Sequence, residues 1–188
     1  MLRTGSNAKI RQQLGVIVEK APLNSRYLSS LKIHKVCKVI RNNVHAYELH
    51  WQLPDEKQQE AIGWLVENVP REQLSFIFPP YAKSCWQNAV KVVERIGYPE
   101  NVAAFPTMVE LFQDINWPGA EEAVQYFQTL PKEIVIPYME AAGVKAKRDG
   151  DSQWLWFLYA VCDRLGIEHQ DFHDGSLFDV MKYHYDFD

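Results

Sequence analysis

WQNAVKVVERIGYPENVAAFPTM, residues 86–108, and WPGAEEAVQYFQTLPKEIVIPYM, residues 117–139, are the stretches on which the fold turns. They run in register at an offset of 31 residues. Trp86 falls on Trp117, Val93 on Val124, Ile96 on Phe127, Phe105-Pro106 on Ile136-Pro137, and Met108 on Met139. Within each copy the apolar residues recur at the three- and four-residue steps that line one face of an α-helix. Each copy therefore reads as two helices with a proline in the second. A fixed period of this length marks stacked units, since one helical hairpin cannot bury its apolar face alone and gains a core only from its neighbours. A third unit begins at Trp154 with Val161 at the same offset, and Phe78-Pro79 matches the end of an earlier one. The expectation is an all-α, single-domain α-solenoid of stacked helical hairpins, degenerate at both ends as capping units are.

Outward from these copies the same rules place further helices. Ser6 or Asn7 can cap one that carries Ile10, Leu14, Ile17 and Val18 on one face and stops at Pro22. A second is expected from about Ser25 to Tyr47, with Leu28, Leu31, Val36, Val39, Ile40 and Tyr47 inward and Lys32, Lys35, Lys38 and Arg41 on its other sides. A third starts at Pro54-Asp55 and buries Ile62, Leu65, Val66 and Val69. Ser84 opens the helix of Trp86, Val90, Val93 and Ile96, and Gly97 closes it; Asp151 or Ser152 and Gly166 bracket another. Pro70, Pro79-Pro80, Pro99, Pro118 and Pro131 punctuate the rest. No alternation of apolar and polar residues lasts beyond a few positions, so no sheet is expected. Residues 1–50 then form basic helices that cap the stack, and residues 51–188 form the repeat region with an acidic C-terminal tail.

A chain of 188 residues fits one core better than two, and a hydrophobic fraction of 47% is enough to fill it. Met1 to Asn7 lack the apolar run of a secretory signal, and the longest apolar stretch, Trp154 to Cys162, is half the length of a membrane span. The expectation is a cytoplasmic protein with no membrane partner. Cys37, Cys85 and Cys162 are odd in number and far apart, which points to reduced, buried thiols. Charge is divided unevenly. Residues 1–50 hold nine Lys/Arg against two Asp/Glu, a balance of +7; residues 51–188 hold eleven against twenty-two, a balance of −11.

The stretch LFQDINWPGA, residues 111–120, resembles the signature of an uncharacterised bacterial family of HEAT-like helical repeats (domain of unknown function 5071 type). The likeness extends through Leu130-Pro131, Ile136-Pro137-Tyr138 and Trp154-Leu155-Trp156, covering roughly residues 76–166. The resemblance implies a HEAT-like or armadillo-like arrangement and, since the family has no established activity, is silent about chemistry. Members are similar to proteins found among bacterial toxin-immunity loci, which implies an immunity role. Physically the signature reads as structural. Asn116 is placed to cap a helix begun by Pro118, Trp117 to plug the gap between hairpins, and Gly119-Ala120 to let helices approach closely, with Asp114 and Trp154 in the same framework.

Motifs for phosphate loops, dinucleotide binding, zinc proteases and serine hydrolases are absent. His169-Gln170-Asp171-Phe172-His173-Asp174 gathers two imidazoles and two carboxylates, donors suited to a divalent metal, yet one local cluster rarely closes a coordination sphere. No metal or cofactor is expected. Lys145, Lys147 and Arg148 read as a basic loop before Asp149-Gly150-Asp151, and Trp154 to Tyr159 as a helix apolar all round that must be covered on more than one side. The reading that uses most of these features is a non-catalytic module whose acidic surface, with Glu121, Glu122, Asp171 and Asp174, docks a basic protein partner. The alternative is nucleic-acid binding through Lys32, Lys35, Lys38 and Arg41, which follow one another at three-residue steps as a phosphate-tracking helix would. An enzymatic reading would need Glu48, His50 and the 169–174 cluster to converge on one pocket.

Overall fold

The computed structural model describes residues 44–78 and 82–187 of the chain. The helices expected upstream of Val44, with Lys32, Lys35, Lys38, Arg41 and Cys37, lie outside the described residues. The described part is helical and contains no strand. Its α-helices are α1 (Val44–Tyr47), α2 (Asp55–Asn68), α3 (Trp86–Ile96), α4 (Phe105–Glu110), α5 (Ala120–Gln128), α6 (Lys132–Asp149), α7 (Ser152–Arg164) and α8 (Gly175–Phe187). Short 3-10 turns at Arg71–Ile77, Lys83–Cys85, Val102–Ala104, Leu111–Gln113 and His169–Asp171 connect them.

The ends of these helices follow local chemistry. Pro54 sits just before α2, and Asp55 and Glu56 occupy its first turn, where the exposed N–H groups favour negative charge. Gly97 closes α3 at φ 78°, and its N–H donates back to the Val93 carbonyl at 3.2 Å. Asp151 caps α7 by accepting the Trp154 N–H at 2.9 Å, and Gly166 follows that helix at φ 64°. Tyr98-Pro99 is a cis peptide bond.

Two local expectations need correction. Pro118 does not begin a helix and Asn116 does not cap one: α5 starts at Ala120, with Gly119 in the cap position at φ 90°. Asp114 is the reason, since its carboxylate accepts both the Asn116 N–H at 2.9 Å and the Asn116 side-chain amide at 3.0 Å, which holds the segment in a turn. Likewise Lys145, Lys147 and Arg148 are not a loop. They form the last turns of α6, where cations suit the carbonyl end of a helix, and Gly150 at φ 69° ends it. The two aligned prolines also differ in role: Pro106 lies in the first turn of α4, Pro137 inside α6.

Contacts between elements form two series. In one, α2 lies against α3, α3 against α5, and α5 against α7; in the other, the turn at Arg71–Ile77 lies against Val102–Ala104 and α4, α4 against α6, and α6 against α8. The core runs through both, with Ile62, Leu65, Leu74, Ile77, Phe78, Phe105, Met108, Phe112, Phe127, Met139 and Leu158 fully buried. Small residues set the spacing. A β-carbon on Gly119 would stand 3.0 Å from the Trp86 carbonyl oxygen, and one on Gly143 would stand 3.1 Å from Met181 Sδ of α8. Asn101, 0% exposed, joins α3 to α5 by donating to the Val93 carbonyl at 2.8 Å and to the Tyr126 hydroxyl at 2.5 Å.

The all-round apolar helix α7 is covered as its pattern requires. Trp154, Leu155, Phe157 and Leu158 enter the core, while Trp156 and Tyr159 meet Tyr185 of α8 at ring-centroid distances of 5.4 and 4.8 Å. Among the described residues no helix is long and apolar enough to cross a membrane.

Candidate functional site

Glu121 and Glu122 open α5, and both reach neighbouring helices. The Glu121 carboxylate takes a two-pronged pair with Arg164 of α7, at 2.8 and 2.7 Å, and this guanidinium holds its carboxyl below the usual carboxylate range. Glu122 accepts from Gln87 of α3. Asp171 is paired with Lys132 of α6 at 2.6 Å, and the ammonium lowers its carboxyl in the same way. Asp174 accepts the Ser176 N–H at 3.0 Å at the start of α8, and its carboxyl is lowered by the Ser176 side chain first and by this backbone bond second. Glu121, Glu122 and Asp171 therefore link neighbouring elements, Asp174 closes the turn that opens α8, and Glu121 and Asp174 remain exposed.

The segment from His169 to Asp174 distributes its groups rather than converging them. His169 faces Asp179 at 3.5 Å, and the His173 N–H donates to Glu140 of α6. Both imidazoles are exposed. Among the described residues no three His, Cys, Asp or Glu side chains gather into a group able to hold a metal. Glu48 pairs with His45 at 2.9 Å, and His50 Nδ1 accepts the Gln52 N–H at 3.1 Å, so these groups too are engaged within their own turn.

The signature tryptophan is a half-buried surface element. Trp117 lies on Trp86 with ring centroids 5.5 Å apart, and the Lys83 ammonium stands 3.5 Å from the Trp117 centroid. Trp86 is anchored by donating from Nε1 to the Phe78 carbonyl at 2.8 Å. The pair thus closes the seam between α3 and the turn before α5, covered by a cation.

Among the described residues, two of the concavities open to solvent are lined in part by basic side chains. One, about 400 Å³, is lined by Phe127, Gln128, Lys132 and Arg164, and its cations are already paired with Asp171 and Glu121. The other, about 460 Å³, is a groove between α4 and α6. Pro106, Val109 and Glu110 form one wall; Pro137, Tyr138 and Ala141 form the other; Trp154 closes one end. Lys145 crosses it to pair with Glu110, and its ammonium stands 5.4 Å from the Trp154 ring centroid. Trp154 is 2% exposed and its Nε1 has no hydrogen-bond partner.

No family model, curated protein or solved structure matches the chain. Its chemistry is therefore read from its own side chains. The two described thiols, Cys85 and Cys162, are buried and unpaired by disulfides, and burial pushes both up, Cys162 strongly. Neither is placed for nucleophilic work.

The groove was not anticipated, although half of the signal for it was present. The 31-residue register puts Pro106 and Pro137 at one offset, and those two prolines face each other across it. Glu110, Tyr138, Ala141 and Lys145 carry no such signal, because their meeting depends on the stagger between α4 and α6.

Proposed function

We propose that the chain is a non-catalytic, protein-binding module, a HEAT-like α-solenoid whose acidic surface docks a basic protein, in the manner of an immunity protein that neutralises a bacterial toxin. The observation that carries this reading is charge. The described residues hold twenty-two Asp/Glu and eleven Lys/Arg, and four of those cations, Lys132, Lys145, Arg148 and Arg164, are already committed to internal ion pairs. Carboxylates in excess, among them Glu56, Glu60 and Glu67 on the exposed side of α2, then dominate the field around the described residues. Such a field speeds encounter with a cationic partner and orients it more than it adds affinity.

The two series of neighbouring helices, α2–α3–α5–α7 and α4–α6–α8, support the stacked-hairpin arrangement, because second-neighbour contacts are what a solenoid requires. The resemblance of residues 111–120 supports the family assignment. No covalent step is assigned to any residue, and the mechanism is occlusion.

The test is affinity capture by the full chain from bacterial lysate, washed at low and high salt, with mass spectrometry of retained protein and nucleic acid. Recovery of one basic protein, released by salt and lost on a Glu56→Lys, Glu60→Lys double exchange, is expected. Recovery of nucleic acid instead, lost on replacing Lys32, Lys35, Lys38 and Arg41, would favour the competing reading, which rests on the +7 balance of residues 1–50.

A further inference from the structure

Trp154 Nε1 is a strong donor sealed in the protein without an acceptor. Buried donors are almost always paired, so an orphan at the end of an open groove calls for an acceptor from outside. The groove around it is otherwise apolar, with the faces of Pro106, Pro137, Tyr138 and Ala141 exposed along about 460 Å³, a size in the range of ligand sites.

The charges in the groove narrow the class of occupant. Glu110 and Lys145 neutralise one another across it, so it favours neither an acidic nor a basic ligand. The carboxylate of Glu110, the strong acceptor present, is engaged by Lys145, whereas the indole donor is unused. A ligand rich in carbonyls and poor in N–H groups fits that inventory, and an extended segment containing proline has this composition. Its compact apolar pyrrolidine rings also suit walls made of aromatic and proline faces.

We propose that the groove between α4 and α6 takes an extended, proline-containing peptide segment, with Trp154 Nε1 donating to one of its backbone carbonyls. The Lys145 side chain, which lies over the indole, swings off the ring as the segment enters while its ammonium keeps the pair with Glu110, so the groove stays neutral. The assignment deepens the protein-binding reading and rests on it.

The experiment is a titration of the full chain into a fluorescein-labelled peptide of ten prolines, followed by anisotropy, beside a Gly-Ser peptide of equal length. A saturable rise with the proline peptide alone is expected, with a midpoint below about 1 mM. Ala141→Trp, at an exposed position, fills the groove and removes the response while the far-UV dichroism stays unchanged. Trp154→Phe keeps an aromatic ring, though a smaller one, deletes the donor, and weakens binding by about three- to tenfold. No saturable rise, an equal response to the Gly-Ser peptide, or full binding by the Ala141→Trp chain would each overturn the assignment. A chain that captures a basic protein from lysate yet ignores the proline peptide would sink the groove assignment and leave the acidic-surface reading standing.

Discussion

At Gly119 the backbone is held at φ 90°, and a β-carbon would stand 3.0 Å from the Trp86 carbonyl oxygen. Gly150 shares the positive φ, at 69°, but has nothing within 4 Å of the position a β-carbon would take. The two sites separate conformational strain from steric collision. Gly150→Ala should cost about 1 kcal/mol, the left-handed penalty alone. Gly119→Ala should cost about 2 kcal/mol or more, because the obstacle is backbone and cannot rotate away. Urea unfolding of both variants checks this; equal midpoints would contradict the close approach of the Trp86 turn to Gly119. Residue-level reading of the sequence succeeded where one side chain acts on its own helix, as at Asp151 and Gly97. It missed at Asn116 because a competitor two residues away, Asp114, takes up the same amide groups.

Between elements, the ion pairs Glu121 with Arg164 and Asp171 with Lys132 join α5 to α7 and α6 to the turn before α8. Both carboxyls are depressed in the folded protein, first by the hydrogen bond to the paired cation. The stabilisation is therefore fully present above the unfolded carboxylate values, about pH 4, and is lost as the pH falls through the lower folded values. Thermal melts between pH 6 and pH 2.5 should show this loss, and a Glu121→Gln, Asp171→Asn chain should lose less on acidification. An identical acid profile for the two chains would show that these pairs do not report on folding. The helices themselves were legible from periodicity, α2 and α3 above all. The partners of their charged faces were not, since each pair spans 39 or more residues.

For the whole molecule, Cys85 and Cys162 sit in the common core, and burial raises both thiols above their ordinary range. In a Cys37→Ser background both should resist Ellman's reagent in buffer and react together as urea unfolds the chain. Coincidence of thiol exposure with loss of helical dichroism would mark one cooperative unit. Exposure of Cys85 at lower urea than Cys162 would divide it.

What the amino-acid order determined by itself was helix, and in large part where each helix begins and ends, because capping, proline placement and 3.6-residue periodicity act over a few neighbouring residues. The uneven charge was equally plain. Only the tertiary structure decided that Glu121, Glu122 and Asp171 spend their hydrogen bonds on neighbouring helices, that Lys145 belongs to α6, and that Pro106, Pro137, Tyr138 and Trp154 share one groove. Those facts depend on the stagger and separation of helices distant in sequence, which small residues such as Gly119 and Gly143 set through packing, and no local pattern encodes that geometry.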